Sequence, residues 1–173
     1  MADPDLSPIT HEAFVADVLA VAHALADDTW TPDHIVGIGR GGLVPAVYLS
    51  HRTGIPLLSV DHSSGVPSFA DELIAKLAAA TQAGQRLLLV DDINDSGLTI
   101  GALRRSLGQN DAEMDKVRFA VLIDNVRSAA TSDYRARTID RDTDKRWFVF
   151  PWEAMAGRDI LIGAAKAVPE RLA

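Results

Sequence analysis

Four aliphatic residues in a row, Leu87-Leu88-Leu89-Val90, run without a break into Asp91-Asp92. A strand with one wet face alternates apolar and polar side chains, so an unbroken aliphatic run needs cover on both faces. That requirement selects a sheet lying between layers of helices, and the surrounding sequence supplies them. Over 11–26, Phe14, Val15, Val18, Leu19, Ala22 and Leu25 recur at helical spacing, with Thr10 able to cap the N-terminus. A second helix is predicted over 68–82, capped by Ser68, with Asp71 in its first turn and Leu73, Ile74, Leu77 and Ala78 on its buried face. Residues 43–51 and 98–107 read as further helices, and 34–38, 56–60, 86–90 and 117–123 as strands. Strands alternating with helices predict an α/β fold, a parallel twisted sheet flanked by helices. Beyond Ile123 the pattern weakens; 134–139 and 147–150 are read as strands at an edge or in a small subdomain.

Composition narrows the setting of this sheet. The 173 residues show no internal repeat or low-complexity linker and are read as one domain, 1–173, of a size that buries about 70% of its unfolded surface. Hydrophobic residues at 47% and charged residues at 24% exclude disorder, collagen and coiled coil. No apolar stretch approaches the roughly 18 residues of a membrane span. The first ten residues carry acids and prolines rather than a basic segment and an apolar run, so no secretory signal is visible. With no cysteine, disulfides, thiolate metal sites and cysteine nucleophiles are excluded, and a cytoplasmic location is expected. Lys and Arg total 17 against 24 Asp and Glu, a net charge of −7, which weighs against a protein that tracks nucleic-acid phosphates.

In a parallel α/β sheet, ligands bind beyond the carboxyl ends of the strands. Two such ends carry chemistry. The first is Gly37-Ile38-Gly39-Arg40-Gly41-Gly42. Gly37, Gly39 and Gly42 match the dinucleotide fingerprint G-x-G-x-x-G, and Asp61 stands where a ribose-binding acid would follow. A tight strand-to-helix turn explains the same glycines without a ligand. Arg40 adds a planar, permanently charged donor, so the segment suits phosphate or pyrophosphate under either reading. The second is Asp91-Asp92-Ile93-Asn94-Asp95-Ser96-Gly97-Leu98-Thr99. Two adjacent carboxylates can accept hydrogen bonds from a diol or hold a hard cation through water. Ser96, Gly97 and Thr99 offer hydroxyls and amides at a helix start, suited to a phosphate monoester, and Asp95 lies between the two halves. The segment lacks the D-x-D-x-[TV] pattern of an aspartyl-phosphate phosphatase and the Gly-Lys-Ser/Thr of a P-loop. Capping of the following helix explains one of these residues but not the set.

The stretch 90–99 resembles the 5-phosphoribosyl-1-pyrophosphate (PRPP) motif of type I phosphoribosyltransferases. Residues 35–42 are similar to that family's pyrophosphate loop, and Trp147-Phe148-Val149-Phe150-Pro151-Trp152-Glu153 resembles the C-terminal segment of its xanthine-guanine and hypoxanthine branch. The resemblance implies the family's sheet with a small hood subdomain, and transfer of the 5-phosphoribosyl group of PRPP to a 6-oxopurine (guanine, xanthine or hypoxanthine) with release of pyrophosphate, in purine salvage. It displaces the dinucleotide reading. It implies that Asp91 and Asp92 bind the ribose hydroxyls and Mg2+, that Asp95 is the general base, and that Ser96, Gly97 and Thr99 cradle the 5-phosphate with the amides of Asp95 and Leu98. Arg40 and Gly41 would hold pyrophosphate, with a non-proline cis peptide at Gly39-Arg40. Trp147 would stack on the purine, and main-chain groups around Phe148 and Glu153 would read its edge. The implied partners are these small molecules and a second copy of the chain, as a dimer or tetramer, with neither nucleic acid nor membrane.

Three departures bear on the acceptor. The purine branch usually has a lysine after the strand matching 117–123; that position falls near Asn125, a neutral partner for a keto group, with Arg127 close by. The family's flexible loop usually carries a basic residue, whereas 61–85 holds only Lys76. The Arg- and Asp-rich segment 134–146 is read as a solvated edge. Two other functions stay open on these grounds, a non-catalytic regulatory protein binding PRPP or a nucleotide, and a phosphoribosyltransferase with an unusual acceptor. The histidines at 11, 23, 34, 51 and 62 lack ligand-like spacing; His62, beside Asp61, is a minor catalytic candidate. Trp30 and Trp152 are assigned to packing.

Overall fold

The computed structural model of the chain describes residues 3–60 and 67–168. Five strands, β2 (His34–Ile38), β3 (Leu57–Val60), β4 (Leu87–Asn94), β5 (Val117–Asn125) and β6 (Tyr134–Ile139), form a wholly parallel sheet in the order β3-β2-β4-β5-β6. Helices α1 (His11–Ala26), α2 (Gly39–Thr53), α3 (Pro67–Gln82) and α4 (Leu98–Gln109) supply its two covering layers. The central run behaves as its composition requires. Leu88 and Val90 point into a core shared with Phe14, Val18 and Leu25 of α1 and Ala46 and Leu49 of α2. Leu87 and Leu89 point the other way, toward Ile74 and Leu77 of α3 and Ile100, Leu103 and Leu107 of α4. All four are at most 2% exposed, as expected for a strand with period-two side chains buried on both faces.

Helices α1 and α3 and strands β2 and β6 fall where sequence periodicity places them, and the Thr10 hydroxyl accepts the Ala13 N–H at 3.1 Å, the expected cap. The Ser68 cap lies outside the described side chains. Other boundaries move. β4 runs four residues past Val90 because its ladder with β5 continues through Asp91↔Val121, Ile93↔Ile123 and Asn94↔Asp124. The two aspartates are therefore the end of the strand rather than a loop after it. Helix α2 begins at Gly39, so the glycine segment is its first turn. A short strand absent from the sequence reading, β1 (Leu6–Pro8), pairs in parallel with β7 (Trp147–Val149), placing Leu6 opposite Trp147. This small second sheet, joined by α5 (Arg158–Lys166), is tied to the main core through Phe148 and Phe150. Trp152 stacks on Phe150 at 4.8 Å and meets Phe14 edge-on, a packing role as expected.

At the amino ends of the strands, Arg118 of β5 lies over Trp30 at 4.7 Å, confirming the packing role of Trp30. Arg118 also donates to Asp28, which in turn accepts the Trp30 N–H and the Tyr134 hydroxyl. These bonds, the Trp30 N–H first and Arg118 next, hold the Asp28 carboxyl below the usual carboxylate range. Asp17, facing Arg137, is shifted the opposite way, upward, by burial. Among the described residues no helix is long and apolar enough to cross a membrane.

A lowered folded-state pKa contributes stability that is present above the unfolded value, about 3.9 for Asp, and is lost as pH falls through the folded value. The stability difference between wild type and Asp28→Asn should therefore be largest near neutrality and shrink below about pH 4. Comparing the two proteins cancels the opposite contribution of Asp17. Denaturant melts at pH 7 and at stepwise lower pH measure it; a gap that does not narrow would contradict the assignment.

Candidate active site

The carboxyl ends of β2 and β4 open into one cleft, at the place where a parallel α/β sheet offers main-chain groups to a ligand. One wall is Gly39, Arg40 and Gly41 at the start of α2; the floor is Asp91, Asp92 and Ile93 of β4 with Thr99 of α4. The opposite wall is Arg141, Trp147, Phe148, Phe150 and Glu153. The cleft encloses about 230 Å³ and is open to solvent on one side.

The glycines allow close contact between helix α2 and strand β4. A Cβ on Gly42 would sit 2.0 Å from the Val90 carbonyl oxygen, and one on Gly41 would sit 2.5 Å from an Asp92 carboxylate oxygen. The first turn of α2 thus lies directly against the acidic end of β4. Gly39 makes that turn with φ of +54°, a left-handed conformation natural to glycine. The expected cis peptide at Gly39-Arg40 is not found: every described peptide bond is trans, and the Gly39 dihedral reverses the chain instead. Pro45 sits inside α2 and withdraws the N–H that would otherwise close on the Gly41 carbonyl. Gly97, at φ +86°, lets the segment after β5 close over the start of α4, since a Cβ there would meet the Ala130 nitrogen at 2.5 Å.

Asp91 and Asp92 stand together on the floor. One oxygen of Asp91 accepts the Asp92 N–H at 3.0 Å, and one of Asp92 accepts the Ile93 N–H at 2.7 Å. Ser96, Gly97 and Leu98 flank the cleft at the turn into α4 without lining it, and Leu98 is exposed. Asp95 is not on the cleft surface. It is 4% exposed and held by Arg141, whose Nε donates at 3.0 and 3.2 Å to its two oxygens and whose Nη2 donates at 2.7 Å to Oδ2. Asn125 is also buried away from the cleft; its amide donates to the Asp95 carbonyl at 2.9 Å, and its oxygen accepts the Arg127 and Arg141 main-chain N–H groups. Arg127 itself is exposed and paired with Asp140 and Asp142. Lys76 lies on α3, paired with Glu72. Asp61 and His62 lie outside the described residues.

Arg141 is the residue that sequence reasoning missed. The segment 134–146 does form the edge of the sheet and is mostly exposed or half-buried, but two of its residues are buried, Tyr134 at 5% and Arg141 at 7% exposed. The reason is register. β6 pairs with β5 so that Ile139 stands opposite Asn125, which delivers Arg141 to the carboxyl end of the sheet. The following turn then wraps it, the Asp144 and Arg146 carbonyls accepting from Nη1 at 3.0 and 2.7 Å. Arg137, Arg141 and Arg146 place their guanidinium groups 5.3–5.6 Å from the centre of the Phe148 ring. Among the described residues no group of three or more His, Asp or Glu side chains is arranged to hold a metal. Two adjacent carboxylates fit magnesium, which is commonly held by one or two carboxylates together with substrate phosphates rather than by a protein cage.

A parallel sheet carrying a glycine turn, a pair of acids and an aromatic wall at its carboxyl ends defines an α/β protein with its cleft where such folds bind ligands. The phosphoribosyl transferase domain matches residues 9–156, and the chain belongs to the phosphoribosyltransferase family. It is 32% identical over 126 residues, 69% of this chain and 67% of the relative, to the xanthine-guanine phosphoribosyltransferase of Gluconobacter oxydans. A purine phosphoribosyltransferase from Pyrococcus horikoshii superposes with a TM-score of 0.63 at 26% identity, covering 86% of this chain and 95% of that one. A xanthine-guanine-hypoxanthine phosphoribosyltransferase from Helicobacter pylori gives a TM-score of 0.63 at 21% identity, covering 94% and 99%, a likeness of fold.

The two adjacent glycines differ in what they press against, backbone for Gly42 and a side chain for Gly41. Gly42→Ala should cost about 1–3 kcal/mol of stability, the scale of overpacking against a neighbour that cannot yield. Gly41→Ala should cost less, since the Asp92 carboxylate can turn aside. Thermal melts of both variants measure it; equal melting temperatures would contradict the close approach of α2 to β4.

Proposed function

We propose that the chain transfers the 5-phosphoribosyl group of PRPP to a 6-oxopurine base, releasing pyrophosphate, as a cytoplasmic purine salvage enzyme. The observation that carries this reading is a single cleft with a phosphate-binding half, Arg40, Gly41, Asp91, Asp92 and Thr99, and an aromatic half, Trp147 and Phe148. The named relatives act on purines, which supports the choice of base.

In this reading Asp91 and Asp92 accept hydrogen bonds from the ribose hydroxyls. Ser96, Gly97 and Thr99, with the amides of Asp95 and Leu98, cradle the 5-phosphate at the start of α4. Arg40 and the Gly41 main chain take the pyrophosphate. The ring lies against Trp147 and Phe148. A purine nitrogen forms the new bond to the anomeric carbon while the carbon–oxygen bond to pyrophosphate breaks. The bonding pair leaves with pyrophosphate, and the base gives up its N–H proton to water. Positive charge grows on the ribose ring, near the aspartates of β4; negative charge grows on the leaving group, near Arg40. Magnesium, held by Asp91 and Asp92 with the bound PRPP, would neutralise charge on the pyrophosphate. Asp95, held by Arg141, enters as the buried carboxylate behind the base wall, and Asn125 as the amide that ties the two together.

Pyrophosphate release is measured with PRPP, Mg2+ and a panel of guanine, xanthine, hypoxanthine and adenine. Turnover with one or more oxopurines is expected, and chelation should abolish it until Mg2+ is restored. Asp92→Asn should weaken PRPP binding roughly 10–100-fold, the scale of losing a group that supports a metal. Nucleotide binding without turnover on any base would overturn the proposal in favour of a regulatory protein.

A further inference from the structure

We propose that Arg141 reads the acceptor base, donating a hydrogen bond to its ring oxo group, and that Asp95 and Asn125 are positioning residues for Arg141. The inference rests on the purine phosphoribosyltransferase reading above and deepens it. Among the described residues two cationic side chains line the cleft, Arg40 and Arg141. Arg40 lies on the glycine turn, in the phosphate half. Arg141 lies in the aromatic half with Trp147 and Phe148, its guanidinium 5.3 Å from the centre of the Phe148 ring.

A guanidinium has five N–H groups. Four are committed in Arg141: Nε and one hydrogen of Nη2 to Asp95, both hydrogens of Nη1 to the Asp144 and Arg146 carbonyls. Among the described residues the second hydrogen of Nη2 is left for a ligand. The rest of the network removes every other freedom. Asn125 fixes both ends at once, its amide donating to the Asp95 carbonyl and its oxygen accepting the Arg141 N–H. The carboxylate of Asp95 fixes the plane of the fork. A donor so constrained discriminates strongly. It rewards an acceptor on the ring edge and rejects a ring carrying an amino group there, which would oppose donor to donor.

Asp95 in this account orders its partner rather than accepting the base proton, because both of its oxygens face Arg141. A carboxylate acting as proton acceptor would set kcat; one that orders a base-reading arginine sets the affinity for the base.

The test is steady-state kinetics of wild type, Arg141→Lys and Asp95→Asn with hypoxanthine and with adenine. Lysine keeps a positive charge beside Asp95 but lacks the planar fork. Both variants should raise KM for hypoxanthine roughly 10–100-fold, the value of one hydrogen bond from a charged donor. KM for PRPP should stay within about threefold, and the oxopurine-to-aminopurine ratio of kcat/KM should fall by the same factor as the base affinity. A purely structural role would move the PRPP and base constants together. An unchanged base ratio in Arg141→Lys overturns the assignment. A fall in kcat with an unchanged base KM in Asp95→Asn returns Asp95 to proton transfer and overturns its positioning role. Should Arg141→Lys fail to fold, the double variant Asp95→Asn/Arg141→Gln removes both charges together and gives the same readout without leaving a buried carboxylate alone. Absence of turnover in wild type with every base marks failure of the underlying reading instead, and is seen before any variant is compared.

Discussion

The floor of the cleft and its glycine wall hang from strand β4. Its first four side chains are sealed on both faces of the sheet, and main-chain ladders to β2 and β5 hold it from both sides. A central strand so fixed has no freedom to slip, because a one-residue shift would exchange the two apolar faces. The register that buries Leu87 to Val90 therefore dictates where Asp91 and Asp92 emerge. The contact of Gly42 with the Val90 carbonyl then sets the position of α2 against that same strand. Glycine turn and acidic floor are thus placed by one element, with no hinge between them. This is preorganisation in its simplest form: groups that a substrate must meet together are fixed by the same buried backbone.

The opposite wall is held differently. No hydrophobic run delivers Arg141; a polar network does. A buried ion pair is costly to desolvate and offers little net stability over apolar packing, yet breaking one is strongly destabilising, by about 3–5 kcal/mol. Such an arrangement is a poor way to stabilise a fold and a good way to fix a charged group in one orientation. The neighbouring network has the same character: Asp124, buried at the end of β5, accepts from Asn94, Ser132 and Arg135, and Ser128 donates to Asn94. The carboxyl end of β5 and the turns around it are therefore ordered by directional bonds, while the strands beneath are ordered by apolar burial.

That division explains what could be read from the sequence. Apolar burial leaves a periodic signature, so the central strand, α1 and α3 were legible, and the chemistry of Asp91 to Thr99 stood out because it follows the plainest strand in the chain. Directional networks leave no periodicity. Arg141 lies in Ile139-Asp140-Arg141-Asp142-Thr143-Asp144, where it is indistinguishable by type from solvated residues beside it. Its importance arises from the pairing of β6 with β5, a contact between segments that the sequence does not mark as neighbours. Strand β1 was invisible for a related reason: three residues carry too little pattern, and their partner Trp147 to Val149 lies at the far end of the chain. Asn125 stood out by its position after β5, and the structure finds it buried and bonded to the Asp95 carbonyl and the Arg141 N–H.

A net charge of −7 is a poor guide to a site that takes a polyphosphate, and the pairing of the arginines shows why. The three guanidinium groups around Phe148 each face an aspartate: Arg137 with Asp17, Arg141 with Asp95, Arg146 with Asp144. Of the three, Arg141 lines the cleft, and its pairing with Asp95 leaves that wall with little net positive charge. Arg40, on the glycine turn, forms no ion pair among the described residues, so the other wall of the cleft keeps its positive charge. Interactions between separated surface charges fade over about 8 Å at physiological salt. The acids elsewhere on the surface therefore weigh less on the charge inside the cleft than these few pairings.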